Sequence, residues 1–204
     1  MFLNPEEIRR LERLYGAPVE ERAAFEMGEK EWAILKESQL GGRAHDVTVY
    51  VQRGAELAVI AKHGYPPGVY RAPSGGVLPG ESMEQGIARE MMEETGLEIR
   101  LRRYLLKMAV EFSRGGETVH WTTHVFTAEA ISTRLEPQDL HEIREARWVS
   151  LEELSGPIDA ALRASASAGL RYRSHLHRKV MEILAERGEA PGAESKGGRR
   201  WIWE

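Results

Sequence analysis

Three glutamates, Glu90, Glu93 and Glu94, fall at i, i+3 and i+4 in the segment Arg89-Glu90-Met91-Met92-Glu93-Glu94-Thr95-Gly96-Leu97. In a helix that spacing puts three carboxylates on one face within one turn. Like charges so placed cost a bare helix about 0.2–0.5 kcal/mol per i,i+4 pair, and nothing in the local charge pattern relieves all three. A hard divalent cation would: Mg2+ takes oxygen ligands, keeps several waters and bridges carboxylates to substrate phosphates. The competing reading is an acidic, solvated helix face, which for three glutamates alone is the commoner arrangement.

The helix that must carry these carboxylates is marked at both ends. Ser82 and Gln85 have the spacing of a capping box, and Gly96 suits the left-handed position just past a helix end. Ahead of the helix, Ser74-Gly75-Gly76 and Pro79-Gly80 let the backbone turn tightly and approach a ligand closely. Ile87 and Met91, at i and i+4, should face a core while Glu90 and Glu94 face a cleft.

Residues 75–97 resemble the Nudix box, G-x5-E-x7-R-E-U-x-E-E-x-G-U with U an aliphatic residue. Gly75, Glu81, Arg89, Glu90, Glu93, Glu94 and Gly96 match every fixed position, and Met91 and Leu97 fill the apolar ones. The order of strands, loops and helices extends the likeness from about residue 46 to about residue 154. The resemblance implies an α/β Nudix fold, an α/β/α sandwich with a mixed sheet, here with helical additions at both ends. It also implies hydrolysis of a phosphoanhydride bond in a nucleoside diphosphate linked to another moiety, assisted by Mg2+ or Mn2+. ADP-ribose or a nucleotide sugar is favoured as substrate, and a nucleoside triphosphate sanitising enzyme is the main competitor.

Carried onto this sequence, the resemblance makes Glu90 and Glu94 metal ligands, with Glu93 a third and the Ser74 carbonyl a backbone ligand. Arg89 would orient the glutamates, and Glu81 would support them. The family takes its general base from a box glutamate or from an acidic residue on a distant loop. Glu136, Asp139, Glu142 and Glu145 all precede the last strand, with Glu145 the first choice and Glu142 the second. Arg71 and Tyr70, beside the backbone of Gly75 and Gly76, are candidates for substrate binding, with Tyr65 on the same loop. Some subclasses carry a proline or tyrosine at a set distance after the box. Phe112-Ser113-Arg114 stands there instead, which weakens assignment to the usual ADP-ribose or dinucleoside polyphosphate subclasses. A ligand-sensing Nudix domain without catalysis is the rival of another class. It would need a DNA-binding module, for which the only material is the basic segment with Arg163, Arg171, Arg173, Arg178 and Lys179.

The remaining elements follow from periodicity. Residues 5–38 read as two helices broken at Gly16-Ala17-Pro18, and Gly41-Gly42 marks the edge of the core. Val47, Val49 and Val51 alternate with polar residues and pair as a hairpin with the apolar run 57–61. Two or three strands should lie between residues 98 and 130, then a polar loop at 133–142 and a short strand at 146–149. The segment 158–187 reads as helical. The organisation is thus an N-terminal helical extension (1–42), a core (43–155), C-terminal helices (156–187) and a mobile tail (188–204). His120 and His124, four apart on a strand, would stand about 13 Å apart, too far to share zinc.

The 204 residues carry a net charge of −4, against a mainly electrostatic nucleic-acid binder. No cysteine is present, so disulfides, thiolate metal sites and cysteine nucleophiles are excluded. Neither a signal peptide nor a membrane span is evident, and a cytoplasmic protein is expected. Phe2, Leu3, Leu11, Leu14, Phe25, Trp32 and Leu35 give the N-terminal segment more apolar surface than a free tail carries. Its burial is expected in a two-fold homodimer or, nearly as readily, on the chain's own core. Glu94→Gln is expected to remove activity while leaving the apo protein at least as stable, by relief of repulsion.

Overall fold

The computed structural model describes residues 4–39 and 42–191. Phe2, Leu3 and the tail from residue 192 lie outside the described residues. The strands are β1 (Val19–Glu26), β2 (His45–Arg53), β3 (Glu56–Lys62), β4 (Ser74–Gly75), β5 (Ile99–Arg114), β6 (Glu117–Ala130) and β7 (Ile143–Ser150). The helices are α1 (Pro5–Tyr15), α2 (Glu29–Ser38), α3 (Met83–Thr95), α4 (Leu151–Glu153), α5 (Asp159–Ala164) and α6 (Ala168–Glu186), with a π-helical turn, Leu154–Ile158, joining α4 to α5.

Seven strands form one sheet in the order β1-β5-β6-β2-β3-β7, with β4 added on β2. The sheet is mixed: β1 runs parallel to β5 and β2 parallel to β6, and the other pairs are antiparallel. Alternation along β2 divides the core between two faces. Val47, Val49 and Val51 pack with Leu11 of α1 and Met83, Ile87 and Met91 of α3. Tyr50 packs on the other face with Leu35 of α2, Leu162 of α5 and Leu170, Tyr172, Leu176 and Val180 of α6. The expected α/β/α sandwich is the observed architecture.

The N-terminal segment departs from expectation. Residues 19–26 are a strand, not the start of a second helix. Val-Glu-Glu-Arg-Ala-Ala-Phe-Glu is largely composed of helix formers. It is extended because the second half of β5 offers an unpaired edge to all eight of its residues, from Val19 opposite Leu106 to Glu26 opposite Ser113. Tertiary pairing overrides local propensity here. The apolar surface that argued for a second subunit is largely covered within the chain. Leu11 is fully buried, Leu35 is 9% exposed, and Phe25 and Trp32 pack against the core, although Leu14 remains 59% exposed.

Some basic residues of the C-terminal segment make contacts within the chain, while Arg163 and Arg178 stay exposed. Arg173 reaches Asp46 and Thr48 at 3.0 and 2.9 Å, Arg163 pairs with Asp159 at 2.9 Å, and Arg171 donates to the carbonyls of Ser165 and Ala166. One face of α6, with Leu170, Leu176, Val180 and Leu184, packs into the core. No helix among the described residues is long and apolar enough to cross a membrane.

One carboxylate ties the N-terminal segment to the C-terminal one. Glu31 of α2 accepts from the amides of Ala168 and Gly169 at 3.0 and 2.9 Å, and from the Ser167 hydroxyl, at the start of α6. Burial pushes this carboxyl up, but the hydrogen bonds from Ser167, Gly169, Ala168 and Gly28 outweigh it and hold Glu31 below its ordinary 4.5. A pKa lower in the folded state contributes stability that is full above the unfolded value and fades as pH falls through the folded one. Glu31→Gln should therefore cost about 1–2 kcal/mol at neutral pH and clearly less near about pH 3, read by urea denaturation at both. Leu11→Ala should cost about 2–5 kcal/mol in the same assay, because α1 is part of the core.

Candidate active site

The site forms where the sheet forks. β2 and β3 pair only next to their turn, at Gln52–Leu57 and Arg53–Glu56. Beyond that point residues 71–75 wedge between them: Arg71 bridges to Ile60 on β3, while Ser74 and Gly75 pair with Thr48 and Val47 on β2. The wedge lies against α3. That helix forms as its sequence dictates, with the Ser82–Gln85 capping box at its start and Gly96 at φ 73° at its end. Gly96 is required twice over, since a Cβ there would stand 2.3 Å from the Glu136 carbonyl oxygen.

The amides of Ser74 and Gly76, two residues apart on an extended chain, each receive one carboxylate of α3. Ser74 N–H donates to Glu94 Oε2 at 2.7 Å, and Gly76 N–H to Glu90 Oε1 at 2.9 Å. Gly75 between them has no side chain because Glu90 occupies the space: a Cβ would lie 1.8 Å from the Glu90 carboxyl carbon.

Two guanidinium groups hold the carboxylates. Arg89 donates to Glu81 at 2.8 and 3.1 Å, to Glu90 at 2.9 Å, to Glu93 at 2.8 Å and to the Gly76 carbonyl at 2.6 Å. Arg71 donates to Glu94 at 3.0 Å, to Ser74 Oγ and the Ala72 carbonyl at 2.8 Å, and to the Tyr65 hydroxyl at 2.9 Å. Arginine thus meets much of the repulsion read from the sequence, Arg89 from the same helix and Arg71 from 23 residues away. Ile87 and Met91 face the core as expected. Glu94 does not face an open cleft: it is 3% exposed, buried against the wedge and Arg71.

Lys62, unremarked in the sequence, ends the apolar run of β3 with its ammonium 3.9 Å from Glu94 and in contact with Glu142. Burial, then the neighbouring Arg71, bring its pKa down to about 8. The loop before β7 docks on the end of α3, where the amides of Gln138 and Asp139 donate to the Glu93 carbonyl at 2.9 and 3.0 Å and that of Glu136 to the Thr95 carbonyl at 2.9 Å. Asp139 in turn caps the amides of His141 and Glu142 at 3.1 Å, so Glu136 and Asp139 shape the loop that carries Glu142. Glu145, on β7, accepts from the Tyr70 hydroxyl at 2.8 Å, and Arg147 lies 4.3 Å over the Tyr70 ring. His120 is exposed and His124 buried, and they share no site.

The family model for the NUDIX domain matches residues 42–168, more than half of the chain. This chain belongs to the Nudix family. Among curated relatives, the NAD-capped RNA hydrolase NudC of Stutzerimonas stutzeri is 38% identical over 106 residues, covering 52% of this chain and 36% of that one. The oxidized purine nucleoside triphosphate hydrolase of Danio rerio is 30% identical over 108 residues, covering 53% of this chain and 66% of the other. The chain thus spans little more than a third of the first relative's length. A solved UDP-X diphosphatase, 13% identical, aligns over 76% of this chain and 72% of its own with a TM-score of 0.49, a likeness without bearing on function.

Nudix hydrolases generally use divalent metals, and the residues here fit one in chemistry. The cluster offers only oxygen donors, which suits a hard cation. Glu90 is pushed above its ordinary pKa by burial, with Arg89 opposing and Glu94 and Glu93 adding to the rise, so its charge is incompletely met. As placed, among the described residues, no three acidic or imidazole groups converge into a ready cage. Of the three carboxylates on α3, Glu93 and then Glu90 are nearest solvent, while Glu94 is held by Arg71. Ser74 meets the cluster through its amide and hydroxyl.

The Arg71–Glu94 pair reverses the stability expected of Glu94→Gln. Removing one charge of a buried pair strands the other, at a cost of roughly 3–5 kcal/mol, toward the low end here because the amide oxygen keeps one contact. The apo variant should melt clearly below wild type, and a melt at or above the wild-type temperature would show that the pair contributes nothing.

Proposed function

We propose that this Nudix chain hydrolyses, with Mg2+ or Mn2+, the phosphoanhydride of a nucleoside diphosphate joined to a second moiety. The observation that carries the reading is the single Arg89 guanidinium gathering Glu81, Glu90, Glu93 and the Gly76 carbonyl at one point. That arrangement fixes the carboxylates before substrate arrives. The cation, held by Glu90 and Glu93 on the open side of the cluster while Glu94 stays with Arg71, would neutralise phosphate charge and lower the pKa of the attacking water. Arg89 keeps Glu90 and Glu93 aimed, and Gly75 and Gly76 leave the backbone open to close approach.

For the general base we place Glu142 ahead of Glu145, reversing the order suggested by sequence. Glu142 shares the Lys62 ammonium with Glu94, whereas Glu145 is engaged by Tyr70. Arg71 serves in this proposal through Glu94 rather than through a substrate phosphate, since it is 3% exposed. Tyr70 remains a candidate contact for the substrate.

The NudC relatives are named for an NAD cap, in which two nucleotides are joined through a diphosphate, and this supports the linked-diphosphate class that includes ADP-ribose and nucleotide sugars. The second reading, a nucleoside triphosphate sanitising enzyme, is favoured by the Danio rerio relative's name. A panel of NAD, ADP-ribose, nucleotide sugars and oxidised nucleoside triphosphates, run with Mg2+ in water labelled with heavy oxygen, separates them. Label in the monophosphates released from a linked diphosphate supports the first reading, and pyrophosphate release from triphosphates alone overturns it. On the best substrate Glu142→Gln should lower kcat by about 10²–10⁴ and flatten the acidic limb of its pH profile, while Glu145→Gln should do far less.

A further inference from the structure

A groove of about 370 Å3 opens beside the site, lined in part by Met27 and Leu35, by Phe112 and Trp121 of the sheet, and by Tyr172 and Arg173 of α6. Its volume lies within the range of small-ligand pockets, about 300–1,000 Å3. Much of its wall comes from the N-terminal segment and α6, outside the residues the family model matches.

Arg43 joins groove to site. Its guanidinium packs against Gly76, where a Cβ would stand 2.5 Å from Cζ, and Gly76 is the residue whose amide holds Glu90. On its other side Arg43 lies 5.4 Å over the Trp121 ring, and its Nε donates to the His45 carbonyl at 3.1 Å. A cation is therefore fixed between the carboxylate cluster and an aromatic wall.

That wall is locked. Asp46, buried, accepts from Trp121 Nε1 at 3.0 Å, Thr123 Oγ1 at 2.5 Å and Arg173 Nη2 at 3.0 Å, and the Tyr172 hydroxyl donates to Thr123 at 2.6 Å. Both carboxylates at the groove are thus engaged, Asp46 by this network and Glu31 by the start of α6. The rings of Phe112, Trp121 and Tyr172, 5%, 7% and 3% exposed, form the floor of the groove, Ile34 stands open on its rim, and a guanidinium lies at its inner end. A floor held rigid before binding loses little entropy when a flat ligand packs on it.

We propose that this groove is the specificity subsite of the chain. It takes the aromatic base of a nucleotide whose phosphates lie along Arg43 toward Glu90. The proposal rests on the Nudix hydrolase reading above, and its test is separable from it. The full chain labelled with fluorotryptophan is titrated with adenosine monophosphate without divalent cation. The signal of Trp121 is assigned by its loss in Trp121→Phe and followed by fluorine NMR.

A saturable shift of the Trp121 signal with adenosine monophosphate, absent with ribose phosphate, is the expected result. An unmoved Trp121 signal at millimolar nucleotide, or an equal response to ribose phosphate, overturns the proposal. Ile34, 67% exposed on the groove rim, gives a variant with little risk to folding. Ile34→Asp should weaken nucleotide binding about tenfold and raise KM much more than it changes kcat. Unchanged affinity in that variant also counts against the subsite. If Trp121 responds but no diphosphate is cleaved, the subsite stands and the hydrolase reading fails; turnover with a silent Trp121 has the opposite meaning.

Discussion

The buried ion pair of Arg71 and Glu94 is the contact on which the site's geometry depends. Each side chain is 3% exposed, and they join the wedge in the forked sheet to the last turn of α3. Such pairs add little net stability, because desolvation offsets most of the attraction. What this pair contributes is registry. With Glu94 fixed at Ser74, the helix can sit in one rotation only, and that rotation lays Glu90 over Gly75 and brings Arg89 to Glu81. A neutral packing of equal volume would hold the helix without choosing which face meets the wedge.

The helix and its carboxylates were legible in the sequence because their signals are local. Ser82, Gln85 and Gly96 act within a few residues of themselves, and the i, i+3, i+4 spacing needs only a helix to have meaning. β1 was not legible, since its residues prefer a helix and its strand exists only because β5 lies beside it. The same limit hid the groove. Arg43 and Asp46, Trp121, and Arg173 come from three separate stretches, and no spacing announces their meeting. Lys62 carried a weak signal as a lone cation closing an apolar strand. The burial of Glu94 was misread because the positive partner, Arg71, stands far away in sequence.

The N-terminal segment is a structural part of the catalytic body rather than an appendage. Its strand widens the sheet, its second helix anchors α6 through Glu31, and Met27 and Leu35 wall the groove beside the carboxylates. Pieces on either side of the family core are in this way coupled to each other directly. Under the proposed subsite, substitutions in the flanks would alter substrate choice while the box stays fixed.

The parallel pairing of β1 with β5 also sets an order of events when the chain is made. Val19 leaves the ribosome 87 residues ahead of its partner Leu106. At synthesis rates of about 5–20 residues per second, the strand waits roughly 4–17 seconds for the edge it needs. Through that interval Phe25, Trp32 and Leu35 lack the core they pack against. The nascent chain spends those seconds with these apolar residues open to chaperones and to neighbouring chains.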